Sequence, residues 1–204
     1  DKRGAPKNQA RRQKRSQRRT LARRSARKRH LRSFLTQAGL LPTDPADLEM
    51  LFQANPWYLR REALSRPLTP HEFGRIVVHL SQRRGAVGIT TDPDDPNEGK
   101  VKDGMDRLDK LMRDRGPDTT IGQLMADLSD ERRQEHDGIT WNEPIRNRQY
   151  RIPEDQQLFA GRELIRREFH RIVEIQRSFK DSQLGPMLTD DVIRSLDDPT
   201  QTDT

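Results

Sequence analysis

The feature that most constrains this chain is a 29-residue stretch, residues 9–37, without a single glycine or proline. Arginine, alanine, lysine, glutamine and leucine dominate it, and all five are good helix formers, so we predict one long helix ended by Gly39. Cations lie on every side of it. The only apolar seam is thin and consists of Leu21, Ala22, Ala26, His30 and Phe34. Because like charges repel at helical spacing, this helix needs a polyanion to be stable.

The net positive charge of the chain comes from its first 32 residues. Residues 1–32 hold 15 Lys or Arg and one acid, a charge of +14. The other 172 residues hold 24 basic and 31 acidic side chains, a charge of −7, and the total is +7. The sequence therefore predicts a basic arm on an acidic body.

Composition excludes several classes of protein. The apolar fraction is only 30% and the charged fraction 35%, so a thick independent core is not expected. The lack of cysteine argues against a disulfide-stapled secreted scaffold and for a reducing compartment. The longest charge-free run, residues 33–43, is 11 residues, too short to span a bilayer, and no signal-peptide pattern opens the chain.

Capping signals divide the first part of the body into helices. Asp44 or Asp47 is a candidate N-cap for a short helix, and Asn55 before a proline is another. A capping box begins at Thr69, so we predict a helix from there to Gly85. Its apolar face is Phe73, Ile76, Val77 and Leu80.

The second part of the body shows further helical spacing. Residues 90–99 read as a loop, and two amphipathic helices on a shared core follow, marked by Val101, Met105, Leu108 and Met112 and then by Ile121, Leu124, Met125 and Leu128. Residues 130–153 read as irregular. Apolar residues every seven positions predict the longest core helix over 158–179, packed on the Phe73 helix, and residues 189–196 close with a short capped helix. No strand pattern appears, so the predicted fold class is all-α.

Catalytic patterns are missing from the sequence. There is no phosphate-cradling glycine loop, nucleophile elbow, metalloprotease histidine pair or thiol nucleophile. His71 and His79 lie two turns apart on one helix, so we read them as structural or solvated. Adjacent acids such as Asp190 and Asp191 fit helix N-termini better than a two-metal site.

The basic arm is the strongest functional signal. Guanidinium groups bind phosphates bidentately, so an arginine-dominated helix favours close contact with nucleic acid over diffuse attraction to a membrane. The alternative is a disordered polybasic tail or a localisation signal, which continuity with a helical body weakens. No amide or aromatic pattern on the arm indicates base readout.

Three motifs carry a resemblance to a known family. Residues 11–32, RRQKRSQRRTLARRSARKRHLR, followed by AGLLP, are similar to the arginine-rich bridge helix of type II CRISPR-associated RNA-guided DNA endonucleases, particularly subtype II-C. Residues 55–85, NPWYLRREALSRPLTPHEFGRIVVHLSQRRG, resemble the first recognition-lobe segment of that family. Residues 145–152, IRNRQYRI, and the Gly161-Arg162-Glu163-Leu164 pattern resemble its long recognition-lobe helix.

The resemblance implies two units, a bridge helix over 1–38 and a recognition-lobe segment over 39–204. It implies binding of guide RNA, including its seed, and of target DNA as an RNA–DNA heteroduplex, through backbone and A-form shape. The residues that we expect to bind RNA are Arg11, Arg12, Arg15, Arg18, Arg19, Arg23, Arg24, Arg27, Lys28, Arg29, Arg83, Arg84, Gly85, Arg146, Arg148 and Arg151.

Some of these assignments have an ordinary structural alternative. Arg84 and Gly85 fit a basic helix end with a glycine cap equally well, and the arginines of 146–151 fit a solvated surface. After Gly85, Ala86-Val87 and an acidic loop replace the aromatic and basic continuation usual in the family, so nucleic-acid contacts there are not implied.

The resemblance also implies what the segment works with. The nuclease domains of the family, and the magnesium they use, are not expected in these residues, so we expect no enzyme activity and no cofactor on this chain. The remaining partners would be the rest of a parent endonuclease in a prokaryotic cytoplasm and an inhibitor protein docked on the arm, with no membrane. The rival hypotheses are a ribosomal-type or chromosomal RNA-binding protein with a basic extension, and a free-standing enzyme whose site carries no recognisable motif.

Overall fold

A computed structural model describes residues 7–82, 96–135 and 157–197 of the chain. The described residues form eight α-helices and one 3₁₀ turn, and no strand occurs among them, as the sequence predicts. The helices are α1 (Lys7–Gln37), α2 (Pro45–Gln53), α3 (Pro56–Glu62), α4 (Pro70–Gln82), α5 (Pro96–Arg115), α6 (Ile121–Glu135), α7 (Arg162–Ser178) and α8 (Asp190–Asp197), with the 3₁₀ turn at Gly185–Met187.

Helix α1 ends at the predicted glycine in a Schellman arrangement. Gly39 has a φ of +71°, which an L side chain rarely adopts. The amide of Gly39 donates to the carbonyl of Thr36 at 3.1 Å, and the amide of Leu40 donates to the carbonyl of Leu35 at 2.8 Å. Leu35 and Leu40 are both fully buried, so the turn fixes the angle at which α1 leaves the body.

The predicted caps of the next helices are confirmed. Asp44 accepts from the amides of Ala46 and Asp47 at the head of α2, and Asn55 accepts from the amide of Trp57 at the head of α3.

The capping box of α4 is reciprocal. The Thr69 hydroxyl accepts from the Glu72 amide at 3.2 Å, and the Glu72 carboxylate accepts from the Thr69 amide at 2.8 Å. Short-range signals thus set three of the helix starts.

The main core joins the root of α1 to α3, α4, α7 and α8. The predicted apolar face of α4 is buried there against Phe169, Ile172 and Val173 of α7, which confirms the expected contact. The rings of Phe73 and Phe169 lie 6.5 Å apart between centroids. The backbone of α4 also lies very close to the turn that follows α1, since a Cβ on Gly74 would overlap the carbonyl oxygen of Leu40.

A smaller core lies between α5 and α6. Leu108, Met112, Ile121 and Leu124 are buried in it, so these two helices share a core as predicted. Half-buried Trp57 is among the residues that pack against it. The body is therefore held by two thin apolar clusters rather than one thick core.

A buried polar cluster ties four helices together. Arg60 of α3 donates to Glu168 of α7 from Nε at 2.8 Å and from Nη2 at 2.5 Å, and both side chains are 1% exposed. The Gly122 amide of α6 donates to the same carboxylate at 3.0 Å. His79 of α4 lies 3.4 Å from Arg60 Nη1 and edge-on to the Trp57 ring, so it is a structural histidine, as expected.

Three predicted boundaries are wrong. Helix α5 begins at Pro96, inside the predicted loop, because proline is well suited to the first position of a helix. Helix α6 continues to Glu135, because residues 130–135 contain no glycine or proline and extend it as a polar helix.

The third error concerns the predicted helix over 158–179. Helix α7 begins only at Arg162, because Gly161 has an extended backbone and acts as its N-cap, and it ends at Ser178. With 17 residues it is shorter than α5, which has 20. Leu158 and Phe179 share the seven-residue spacing of the apolar face of α7, but both lie outside the helix.

Candidate nucleic-acid interface

Within residues 7–82, 96–135 and 157–197, helix α1 packs on the body only at its C-terminal end. Leu31 and Leu35 are buried in the main core and Phe34 is half-buried against it. Every described residue from 9 to 30 is exposed, including Leu21 at 61%. Of the predicted apolar seam only Phe34 packs on the body, since the rest of the seam lies beyond the point where α1 leaves it. More than twenty residues of helix therefore have no described protein surface beside them.

The predicted binding residues of α1 share this exposed segment. The helix carries thirteen Lys or Arg and no acidic residue. No ion pair joins the cations from Arg11 to Arg32 to a described residue. The structure places them together on one rod: Arg11, Arg12, Arg15, Arg18, Arg19, Arg23, Arg24, Arg27, Lys28 and Arg29.

The outward side of the rod has a distinct composition. Successive helical residues turn by about 100°, so positions near 11, 15, 18, 22, 25, 26 and 29 lie opposite to the buried leucines. Arginines occupy both ends of this side, at Arg11, Arg15, Arg18 and Arg29. Its middle holds the small residues Ala22, Ser25 and Ala26. A polyanion backbone can therefore approach the helix axis closely in the middle while guanidinium groups reach around it.

The cations of the body are used differently. Arg61 bonds to Asp127 at 3.0 Å and to Asp130 at 2.7 Å, and Arg66 lies between Glu62 and Glu72. Three more arginines are paired with acids in the same way, at Arg115–Glu131, Arg166–Asp197 and Arg177–Asp190. These pairs neutralise many arginines of the body within the fold, whereas α1 carries a continuous row of exposed cations.

The electrostatics of one pair bear on stability. Hydrogen bonding from Arg66 holds the pKa of Glu72 below its ordinary value, with the Thr69 amide acting in the same direction against the effect of burial. The arginine responds in the opposite sense, and the pKa of Arg66 is raised. The pair closes the turn between α3 and α4.

A pair of arginines at the root of α1 is the feature that sequence reasoning missed. The guanidinium carbon of Arg32 lies 5.2 Å from the centroid of the Phe52 ring, and that of Arg75 lies 4.6 Å from the same centroid. We call these three residues the Phe52 cluster. Arg75 lies between the buried residues Gly74 and Ile76 of α4, and its place in the sequence does not show which residues it meets.

The remaining predicted site residues are not placed. Arg83, Arg84 and Gly85, as well as Arg146, Arg148 and Arg151, lie outside the described residues. The predicted end of α4 at Gly85 lies outside them too. Their binding roles stay predictions.

The described residues hold neither a cluster of metal-ligating side chains nor a helix that could span a membrane. Among residues 7–82, 96–135 and 157–197, no three His, Cys, Asp or Glu side chains form a group that could hold a metal ion. No helix of the described part is long and apolar enough to cross a bilayer. A shallow groove of about 510 Å³ runs between α7 and α8 and is lined by charged side chains that pair across it, such as Arg177 and Asp190.

The fold matches solved structures of a protein crystallised with sgRNA and target DNA. No protein-family model matches the chain, and no curated protein matches its sequence.

Two of the matched structures are of Cas9 of Campylobacter jejuni. Its complex with sgRNA and target DNA carrying an AGAAACA PAM aligns with a TM-score of 0.57 and 20% identity, over 92% of this chain and 24% of the Cas9 chain. The complex with an AGAAACC PAM aligns with a TM-score of 0.58 and 20% identity, over 96% of this chain and 25% of the Cas9 chain. The chain thus spans about a quarter of the length of Cas9, and the resemblance that its motifs predict is confirmed at the level of the fold.

Proposed function

We propose that this chain is the guide-RNA and guide–target heteroduplex binding segment of an RNA-guided DNA endonuclease used in prokaryotic antiviral defence. Helix α1 would be its bridge helix, and α2–α8 the beginning of its recognition lobe. The observation that carries the proposal is the exposed cationic rod of α1, which has no acid of its own and is rigidly continuous with a folded body.

The chemistry of the rod favours a nucleic-acid backbone as its ligand. Thirteen basic side chains on 31 residues repel one another in the free chain, and a polyanion removes that repulsion. Arginine binds phosphate oxygens bidentately, and this contact carries no base specificity. The small residues in the middle of the outward side, Ala22, Ser25 and Ala26, favour close approach of a backbone.

The comparison narrows the kind of nucleic acid. The two Cas9 chains with this fold were crystallised with sgRNA and target DNA, so guide RNA and an RNA–DNA heteroduplex are the proposed ligands here. A heteroduplex is close to A-form, whose shape and backbone a protein recognises without reading bases. Arg83, Arg84, Gly85, Arg146, Arg148 and Arg151 would add contacts from the body.

The proposal assigns the cutting to other parts of a parent protein. This chain would need neither a cofactor nor magnesium, and the nuclease domains of the parent would hold the metal. An inhibitor protein that mimics a polyanion would compete for the same arm.

Salt titrations of RNA binding test the proposal. We expect affinity for a 20-nucleotide RNA to fall with log salt at a slope of several units, since about five to eight phosphates are neutralised. Replacing Arg15, Arg18 and Arg19 with Gln should reduce the slope by about two, at about 0.7 per phosphate of a single strand. The matched control replaces three exposed arginines of the body, Arg113→Gln, Arg162→Gln and Arg167→Gln, and should change the slope little.

Competing ligands separate this function from a ribosomal-type role. The chain should bind an RNA–DNA heteroduplex more tightly than a B-form DNA duplex of the same sequence at the same salt. Tighter binding of a folded ribosomal RNA fragment than of the heteroduplex would favour the ribosomal-type alternative. Affinity that ignores salt, or that survives deletion of residues 1–36, would place the site on the body and contradict the assignment of α1.

A further inference from the structure

The Phe52 cluster brings two cations onto one aromatic ring where three helices meet. Arg32 comes from the last turns of α1, Phe52 from α2 and Arg75 from α4. Arg32 is exposed, whereas Arg75 is half-buried and its Nε atom is inaccessible to solvent. The site is therefore open on the α1 side and closed beneath.

Neither arginine of the Phe52 cluster has an anionic partner among the described residues. Arg75 Nε has no hydrogen-bond partner, and neither arginine forms an ion pair with any residue of the described ranges. Burial, and then the positive charge of Arg32, hold the pKa of Arg75 below its ordinary value. A half-buried cation beside a second cation is unfavourable unless something compensates for it.

Two other arginines of the chain lie over an aromatic ring, and each of them is also paired with a carboxylate. Arg60 lies 4.4 Å from the Trp57 ring centroid and has Glu168 as its carboxylate partner. Arg61 lies 5.0 Å from the Tyr58 ring centroid and has two aspartates. Stacking on a ring is thus accompanied by a carboxylate in both cases, and the Phe52 cluster is the exception within the described residues.

We propose that the Phe52 cluster binds one phosphate group, supplied by the backbone of the nucleic acid that lies along α1. A phosphate offers several strong acceptor oxygens, enough to meet the donors of two guanidinium groups at once. The inference rests on the proposed function, because it takes the same ligand as the α1 rod and extends its path into the body.

Continuity with α1 favours phosphate over a carboxylate from a protein partner. Arg32 lies three residues after Arg29 and four after Lys28, so it is on the next turn of the same cationic helix. A backbone that follows the rod toward the body reaches Arg32 and then Arg75. An isolated acidic residue of a protein would match the pair but not the row of cations that leads to it.

The test uses the full chain with Arg75→Met, Arg32→Gln and the control Arg113→Gln, an exposed arginine of α5. Removal of one phosphate contact should weaken binding of a 20-nucleotide RNA about tenfold at low salt and reduce the salt slope by about 0.7 for Arg75→Met and for Arg32→Gln. Arg113→Gln should leave both quantities unchanged. Without RNA, the melting temperature of Arg75→Met should equal or exceed that of the parent chain, because an uncompensated cation has been removed.

Inorganic phosphate separates the two sources of the ligand. If sodium phosphate raises the melting temperature of the parent chain above that in sodium chloride of equal ionic strength, and does not do so for Arg75→Met, the site accepts a free phosphate. If only RNA has this effect, the site takes a phosphodiester in a chain.

Some results would overturn the proposal without touching the proposed function. If Arg75→Met and Arg32→Gln bind RNA with unchanged affinity and slope while the α1 triple variant still loses both, the cluster binds no phosphate. The same conclusion follows if Arg75→Met melts lower and binds RNA normally, or if an acidic peptide, but neither phosphate nor RNA, stabilises the chain through Arg75. If no α1 variant changes RNA binding, the proposed function itself has failed.

Discussion

Glu168→Gln tests whether the buried polar cluster holds the body together. Glu168 accepts from Arg60 Nε and from the Gly122 amide through one oxygen, and from Arg60 Nη2 through the other. A glutamine that keeps its oxygen toward Nε and the amide must turn its NH₂ group toward Nη2. One charge-assisted bond then becomes a contact between two donors, and Arg60 is left as an uncompensated cation at 1% exposure.

The expected loss is large for this chain. Removal of one partner of a buried ion pair costs about 3–5 kcal/mol, and whole domains are stable by about 5–15 kcal/mol. We therefore expect Glu168→Gln to remove a major share of the free energy of unfolding. Adding Arg60→Met should recover at least about 1 kcal/mol, since the unpaired cation disappears and the Gly122 amide keeps its acceptor.

Urea unfolding followed by tryptophan fluorescence measures both effects. The Arg60 guanidinium lies 4.4 Å from the Trp57 ring, and replacing Trp141 with Phe leaves Trp57 as the only tryptophan. The midpoint should fall for Glu168→Gln with the slope unchanged and rise again in the double variant. A Glu168→Gln loss below about 1 kcal/mol, or a double variant less stable than the single one, would refute the reasoning.

Three further predictions concern stability and activity. Leu80→Ala should lower the free energy of unfolding in urea by about 2–5 kcal/mol, whereas Arg84→Ala should leave the melting temperature unchanged and weaken only RNA binding. If Arg84→Ala lowers the melting temperature as much as Leu80→Ala does and leaves RNA affinity intact, Arg84 is a structural residue. Arg66 lowers the pKa of Glu72 in the folded chain, so the stability that this pair contributes is complete above the ordinary pKa of 4.5 and is lost as pH falls through the lowered pKa. Glu72→Gln should therefore flatten the acid side of a curve of stability against pH. The variant and the parent chain should differ most in stability near neutral pH. The chain should cleave no nucleic acid with or without magnesium, and metal-dependent cleavage that co-purifies through every step would contradict this.

Local signals explain most of what the sequence predicted correctly. The caps at Asp44, Asn55 and Thr69 act within three residues of themselves, and Gly39 needs only its own backbone conformation. Such features are visible without knowledge of the fold. One of the three errors at helix ends arose at Gly161, which separates Leu158 from the helix although the apolar spacing continues through it.

Contacts between distant residues could not be predicted in this way. Arg60 and Glu168 are separated by 108 positions, and Gly122 must be small because a Cβ there would lie 2.5 Å from Arg60 Cβ and from Glu168 Oε1. Gln176 is similar: its buried amide donates to the carbonyls of Ala63 and Arg66 and accepts from the Leu68 amide. The need for these residues arises only when the helices meet.

One part of the candidate site follows from local sequence signals, and another part depends on contacts between distant residues. The cationic rod of α1 follows from composition and helix propensity, so the sequence predicts its exposed cations. The Phe52 cluster requires three helices to converge, and Arg75 alone is an ordinary arginine in an amphipathic helix. The proposed phosphate position therefore depends on tertiary structure, whereas the proposed general affinity for a polyanion follows from the sequence.

Hydrogen–deuterium exchange of α1 tests the central claim most directly. In the free chain, amides of residues 9–30 belong to an exposed, self-repelling helix and should exchange rapidly. A guide RNA or an RNA–DNA heteroduplex should slow their exchange strongly, and the protection should disappear in high salt. Protection confined to α5–α7, with α1 exchanging as fast as in the free chain, would contradict the account.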